Sequence, residues 1–313
     1  MIACLGAGRM GRGIAVVFCY AGHDVTVIDC RPRSSQAFAH LVSDVHSEIT
    51  STLAMLARIG MMDADQVAPV AGRIQVVPEG EAGLENAELV FECVPEILEL
   101  KRNVLARASR RTSPAAIIAS TTSTILVDAL ADAVENPARF LNAHWLNPAF
   151  LIPLVEVSPS AATAPETTAR LIALLEGIGK VPVVCAARPG FIVPRIQALA
   201  MNEAARMVEE GVASAADIDK AVKYGFGFRF AVLGLLEFID WGGSDILHYA
   251  SAYLAKALDN QRYEAPDIIR RNMEEGKTFL GHDGVDVQSY REGRLSAFVD
   301  LLRGMGLARP PIT

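Results

Sequence analysis

The chain opens on Ile2-Ala3-Cys4-Leu5, a short apolar run that stops at Gly6-Ala7-Gly8-Arg9-Met10-Gly11. Helical spacing follows, with Met10, Ile14, Val17, Phe18 and Ala21 on one face until Gly22. Asp24-Val25-Thr26-Val27-Ile28-Asp29 then reads as a second strand. Residues 34 to about 70 are mostly helical by pattern, with no Gly or Pro before Gly60. That stretch is longer than an ordinary crossover and predicts a helical excursion from the sheet. Short apolar segments return at 74–77, 89–91, 116–119, 140–143, 154–157 and 181–184, most of them separated by helical stretches such as 97–110 and 164–175.

Strands alternating with helices predict an α/β, Rossmann-type, doubly wound and mainly parallel sheet covered on both faces. After Ala187-Arg188-Pro189-Gly190 the strand signal stops. From 191 to 306 the pattern is helical, with breaks at Gly211, 225–227, Gly242-Gly243 and 281–284. The expected division is therefore a sheet domain over 1–187 and an all-helical C-terminal domain over 188–313.

The first turn carries chemistry. It combines strand, G-x-G-x-x-G, helix and second strand, and an acid closes that second strand. Gly6 permits the tight turn, Gly8 lets a pyrophosphate approach the backbone, and Gly11 lets helix and strand pack closely. The N–H groups at the helix start then face phosphate, and Asp29 can accept from both ribose hydroxyls. A glycine-rich turn without a ligand is the plain alternative. Asp29 points to NAD, because a carboxylate there repels a 2′-phosphate. Arg31 and Arg33 follow closely and are the groups that would receive one.

Composition narrows the classes. With 313 residues, 51% hydrophobic and 21% charged, the chain is globular, neither disordered nor collagen-like. A formal charge of −7 gives no footprint for a nucleic-acid partner. No apolar run approaches the ~20 residues of a membrane span. Met1 to Leu5 enter the glycine loop directly, without a basic leader, so a cytoplasmic protein is expected. The five cysteines show no paired metal spacing, and buried thiols with no metal site are the expectation.

Three further clusters place polar groups in apolar surroundings: Glu92-Cys93-Val94-Pro95-Glu96 with Lys101, Ser120-Thr121-Thr122-Ser123-Thr124, and His144-Trp145-Leu146-Asn147-Pro148 followed by Glu156. The first ends a strand on the edge where open α/β sheets hold ligands. Helix capping accounts for hydroxyl-rich loops just as well, and a lone histidine is more often structural. His144 stands out because it falls at a strand end, beside Asn147-Pro148, in a chain with a redox-cofactor fingerprint. Removing a hydroxyl proton during hydride transfer is work for a histidine oriented by a carboxylate.

With Leu154-Val155-Glu156-Val157 and Pro189-Gly190-Phe191-Ile192-Val193, these motifs stand in one order along nearly the whole chain. Together they resemble the L-3-hydroxyacyl-CoA dehydrogenase family. The resemblance implies that His144 is the general base and Glu156 the carboxylate that orients it. Ser123 would hold the reacting oxygen, with Asn147 beside it. Gly6, Gly8, Arg9, Met10, Gly11, Asp29, Glu96, Lys101 and Ser120 would hold NAD, with Glu96 and Lys101 on the nicotinamide ribose side. The helical second domain would form a homodimer interface and close the cleft.

Two departures bear on the substrate. Where the family usually has Asn after Gly-Phe-Ile-Val, this chain has Pro194. The family's lysine-rich excursion is here acidic: between 34 and 68 Arg58 stands alone against Asp44, Glu48, Asp63 and Asp65. A surplus of negative charge is a poor dock for a polyphosphate tail, so a compact substrate is expected. The segments 191–197 and 224–230 resemble a small branch of the family, which implies an aromatic aldehyde bearing a carboxylate. Arg195 and Arg229 would bind the anion, with Phe226 and Phe228 offering ring faces. Arginines at helix ends and phenylalanines in a helix core are the plain alternative. Other readings remain: a 3-hydroxyacyl-CoA dehydrogenase, aldehyde oxidation through a Cys93 thiolate, and a non-catalytic NAD(H)-binding or structural protein.

Overall fold

The computed structural model describes residues 1–80, 83–281 and 287–307. Its first part alternates β1 (Ile2–Leu5), α1 (Arg9–Tyr20), β2 (Val25–Asp29), α2 (Ser35–Arg58), α3 (Val67–Ala71), β3 (Ile74–Pro78), β4 (Leu89–Glu92) and α4 (Leu98–Arg111). β5 (Ile117–Ser120), α5 (Val127–Ala131), β6 (Phe140–Trp145), β7 (Leu154–Pro159), α6 (Pro165–Gly177) and β8 (Val181–Val184) follow. The strands form one sheet in the order β3-β2-β1-β4-β5-β6-β7-β8. All neighbours are parallel except β6 and β7. Only residues 146–153 join that pair, too few for a crossover, so the chain turns straight back. This is the Rossmann-type, doubly wound, mainly parallel sheet the pattern predicts.

Both faces are covered, as the near-continuous apolar strands demand. Ile2, Cys4, Leu89 and Phe91 face one core, with Ile14 and Phe18 of α1 and Val45, Ile49 and Leu53 of α2. Ala3, Leu5 and Val90 face the other, with Val104 and Leu105 of α4 and Val127 and Leu130 of α5. Phe91 anchors the first core, its ring centroid 5.6 Å from those of both Phe18 and Trp145. Fully burying one such side chain stabilises by about 1.5–3 kcal/mol. The helical excursion is mainly α2. Ser34 caps its start by accepting from the Ala37 N–H, and Gly60, at φ 79°, follows its end.

The strand ends differ from the pattern in one informative way. Glu92 and Ser120 are paired strand residues, in register with Leu5 and with each other, and His144 lies within β6 opposite Glu156. Backbone pairing extends past the last apolar residue, because each polar side chain there finds a partner of its own.

The described residues fall into two compact units, Met1–Ala200 and Met201–Thr313. The last strand ends at Val184, and α7 (Val193–Glu209) runs across the division. The second unit is helical: α8 (Ala215–Ala221), α9 (Gly227–Phe230), α10 (Leu235–Gly242), α11 (Ser244–Ala257), α12 (Asp267–Glu275) and α13 (Val287–Gly304). Gly211 and Gly243 have positive φ where breaks are expected. At 225–227 the chain does not break. A wider, π-helical turn over Val222–Phe226 leads directly into α9. Gly227 permits it, since a Cβ there would stand 3.1 Å from the Val222 carbonyl oxygen. The break expected at 281–284 lies mostly outside the described residues. No described helix is long and apolar enough to cross a membrane.

Candidate active site

A cleft of about 620 Å³ opens at the carboxyl ends of β1, β2, β4 and β5. Gly6, Gly8, Arg9, Met10, Asp29, Glu96, Lys101, Ser123 and Asn147 all line it. At φ 110° Gly6 takes a conformation that side chains avoid, and a Cβ would press 3.0 Å from the Cys93 carbonyl oxygen. Nothing lies within 4 Å of where a Cβ would stand on Gly8. The backbone is therefore open to a ligand at the start of α1, which is the cradle a dinucleotide pyrophosphate requires.

Asp29 ends β2 and is 4% exposed. Its Oδ2 accepts from Arg33 Nε at 2.5 Å, while Oδ1 has only a long contact, 3.4 Å, from the Arg31 N–H. One carboxylate oxygen is thus left for ribose hydroxyls. The Asp29–Arg33 pair was not legible in the pattern, although the two residues stand four apart in the sequence.

Glu92 and Lys101 form a buried cluster beneath the cleft. Lys101 Nζ lies 2.9 and 3.0 Å from the two Glu92 carboxylate oxygens and donates to the Val94 carbonyl at 3.1 Å. Glu92 also accepts from the Val94 N–H at 2.8 Å and the Ser120 hydroxyl at 2.5 Å. Ser120 is fully buried and spends its hydroxyl there.

Glu96 stands 3.3 Å from the same ammonium. Its Oε1 accepts the Ser123 and Thr124 N–H groups at 3.0 and 2.9 Å, the Thr124 hydroxyl at 2.9 Å, and the Thr122 hydroxyl. Partial burial would raise this carboxyl. The Thr122 hydroxyl, the Lys101 charge and the Thr124 donors outweigh it and hold the group down at about 2. Glu96 thereby fixes the loop that brings Ser123 to the cleft.

At the other end, His144 Nδ1 lies 2.7 Å from Glu156 Oε2, across the antiparallel β6–β7 pair. The second oxygen, Oε1, accepts the N–H groups of Ile192 and Val193 at 2.9 and 2.8 Å. These are free donors at the start of α7, where a carboxylate is favoured. Gly190 (φ 79°) and Phe191 (φ 42°) turn the chain so that these donors point at Glu156. The Phe191 ring stacks on His144 at 5.4 Å. A positive φ on a non-glycine residue costs roughly 1–3 kcal/mol, which the stacking and the N–H···carboxylate bonds offset. Pro194 follows within the first helical turn, where a missing N–H costs nothing. His144 and Glu156 do not line the cleft themselves; Ser123 and Asn147 do.

Each of the remaining candidates has surroundings of its own. Cys93 lines the cleft, but burial and the neighbouring Cys4 thiol push its own thiol well above the ordinary value. Arg195, early in α7, is exposed. In the second unit, Arg229 places its guanidinium 4.5 Å from the Phe238 ring centroid. There Phe226 meets Phe230 edge-on and Phe228 stacks on Phe298, so each ring already faces another.

The sequence matches the 3-hydroxyacyl-CoA dehydrogenase NAD-binding domain over residues 1–188 and the C-terminal domain of the same family over 190–281. It is 32% identical to the 3-hydroxyadipyl-CoA dehydrogenase of Escherichia coli K12 over 94% of this chain, although it spans only 59% of that protein's length. It is 30% identical to the 5-formyl-3-hydroxy-2-methylpyridine 4-carboxylate 5-dehydrogenase of Mesorhizobium japonicum, over 86% of this chain and 84% of that one. A solved 3-hydroxyacyl-CoA dehydrogenase from Archaeoglobus fulgidus superposes with a TM-score of 0.75 at 30% identity, covering 98% of this chain and 99% of that one. A solved 5-formyl-3-hydroxy-2-methylpyridine 4-carboxylic acid 5-dehydrogenase, described as an NAD+-dependent dismutase, does so at 0.71 and 26% identity over the same shares. The glycine cradle, the acid closing β2 and two matched domains agree: the chain belongs to the 3-hydroxyacyl-CoA dehydrogenase family and is an NAD-dependent dehydrogenase.

Proposed function

We propose that the enzyme oxidises a small, carboxylated aromatic aldehyde to the acid, the reaction of a 5-formyl-3-hydroxy-2-methylpyridine-4-carboxylate 5-dehydrogenase in vitamin B6 degradation. The observation that carries the chemistry is the His144–Glu156 pair, buried at 2.7 Å and held by helix N–H groups. NAD, when bound, supplies the nicotinamide carbon that accepts hydride. Glu156 occupies Nδ1 of His144, so Nε2 takes the proton from water adding to the aldehyde, or from the hydrate, and the carboxylate stabilises the imidazolium. Ser123 and Asn147 donate to the developing oxyanion. Gly6, Gly8, Arg9, Met10, Gly11 and Asp29 hold the dinucleotide, and the Glu92–Lys101–Ser120 cluster and Glu96 shape its nicotinamide end. Arg195 and Arg229 are the arginines the sequence offers for the substrate anion. The same reading has a homodimer working in the cytoplasm.

The compact substrate is supported by α2, which carries Asp44 and Glu48 against Arg58 alone and offers no cationic dock for a CoA tail. A second reading, an L-3-hydroxyacyl-CoA dehydrogenase, is favoured by the resemblance to the E. coli enzyme. NADH absorbance separates the two. Carboxylated aromatic aldehydes, offered with NAD, should be turned over far better than acetoacetyl-CoA is reduced with NADH. Efficient, saturable reduction of acetoacetyl-CoA would sink the aldehyde reading.

A further inference from the structure

A second pocket, of about 170 Å³, opens beside Asn147 between α1, α2 and the 146–153 connection. Arg9, Arg12, Glu48, Phe150 and Asn147 are among its walls, and Arg9, Arg12 and Asn147 also line the cofactor cleft. The two spaces therefore meet at Asn147, three residues beyond His144.

The two arginines are in different states. Arg12 is committed: its Nε donates to the Ala7 carbonyl at 2.8 Å, and its NH1 pairs with Glu48. Arg9 is exposed, and its guanidinium has no hydrogen-bond or ion-pair partner among the described residues. The pocket thus holds one neutralised cation and one free one, over a floor of Val16, Ile49 and Phe150. It is wide enough for a carboxyl group on a short chain or a ring edge, and too small for a nucleotide. Neither Arg195 nor Arg229 lines it.

We propose that this pocket is an anion subsite for the substrate, with Arg9 forking the carboxylate. Glu48 weakens the site by holding Arg12 back. A guanidinium fork matches a carboxylate with two parallel N–H donors, and an arginine with no protein partner has both to give. The proposal rests on the reading of the enzyme as acting on a compact carboxylated substrate, and it assigns the residue that would select for that carboxylate. Arg9 also borders the cofactor cleft, where the proposed function has it hold the dinucleotide, and a guanidinium has donors for both anions; the test must therefore cancel cofactor effects.

Pyridine-4-carboxylate and its neutral amide, pyridine-4-carboxamide, make a matched pair of probes. Each is titrated calorimetrically into enzyme saturated with NADH. The wild type should bind the acid about tenfold more tightly than the amide, the weight of one charge-assisted hydrogen bond. In Arg9→Leu that preference should vanish. In Glu48→Gln it should grow, because Arg12 is released. The Arg9 side chain makes no hydrogen bond or ion pair among the described residues, so its replacement removes none of theirs. Equal binding of acid and amide by the wild type, or a preference that survives in Arg9→Leu, overturns the assignment. Turnover of the aldehyde panel is scored separately. A preference lost with Arg9 in an enzyme that turns over only CoA thioesters would leave the subsite standing and remove the aldehyde. Aldehyde turnover with the preference intact in Arg9→Leu would do the reverse.

Discussion

Glu92 on β4 and Glu156 on β7 are both fully buried carboxylates of one sheet, yet their partners differ. Glu92 is saturated by fixed donors: an ammonium, a hydroxyl and a backbone N–H. Every one of these partners is itself held in place by the fold, so the cluster braces the strand ends. Glu156 spends one oxygen on two helix N–H groups and the other on a histidine. In the proposed reaction that ring takes up the substrate proton through Nε2, and the carboxylate serves as its counter-charge. On the proposed mechanism the difference between scaffold and chemistry lies in the partner, since the residue type and burial are the same.

Removing the imidazole should have the largest effect. His144→Ala is expected to lower kcat by about 10²–10⁴, the weight of a general base, with NADH binding followed by fluorescence retained. Glu156→Gln should lose much of the same activity by freeing the ring and failing the imidazolium. The double variant should then fall little further than His144→Ala. Near-normal turnover in either single variant would abolish the distinction between the two carboxylates.

At the scaffold end the loss should appear in stability. Lys101→Met strands Glu92 without its counter-charge, a change that costs about 3–5 kcal/mol when one partner of a buried pair is removed. Urea denaturation measures it. A variant as stable as wild type would show that the Glu92 cluster is not what holds the floor of the cleft.

Glu96 links this scaffold to Ser123, and acid should expose the link. Its carboxyl is held at about 2 in the fold against an ordinary 4.5. The unfolded chain therefore binds the proton first as pH falls. The stability Glu96 contributes is complete above 4.5 and is lost as pH drops through about 2. Denaturation midpoints between pH 5 and 2 should accordingly fall less steeply in Glu96→Gln than in wild type. Parallel slopes would mean that the carboxylate does not hold the loop.

Short continuous apolar runs located the strands of the sheet unit and period-3.6 patterns its longer helices, because strands buried on both faces are apolar throughout. His144, Glu156, Ser123 and Asn147 were legible as residues through motif order. How they are held was not. The Ile192 and Val193 N–H groups on Glu156 are backbone donors with no side-chain signature, and the left-handed Phe191 over His144 departs from every propensity rule. Glu96 was legible as a candidate at a strand end and does line the cleft, but its clamp on residues 122–124 depends on two loops meeting. The continuous turn at 222–230 was hidden by glycines, which usually mark a break.

The smallest expected effect tests whether the scaffold end takes any part in the chemistry. Cys93 follows Glu92 directly and lines the cleft, so position alone makes it a candidate nucleophile. A thiol attacks as thiolate, and a reactive cysteine needs a cation or helix start to lower its pKa. Here burial comes first and the Cys4 thiol second, both pushing the value up; the Lys101 ammonium opposes them but is already spent on Glu92. Cys93→Ala should therefore keep kcat within about a factor of two, since no covalent step of the kind such nucleophiles perform is lost. Mass spectrometry of enzyme quenched during turnover should find no acylated cysteine. A collapse in rate with binding intact, or a thioester on Cys93, would move the chemistry from the His144–Glu156 pair to the floor beside Glu92.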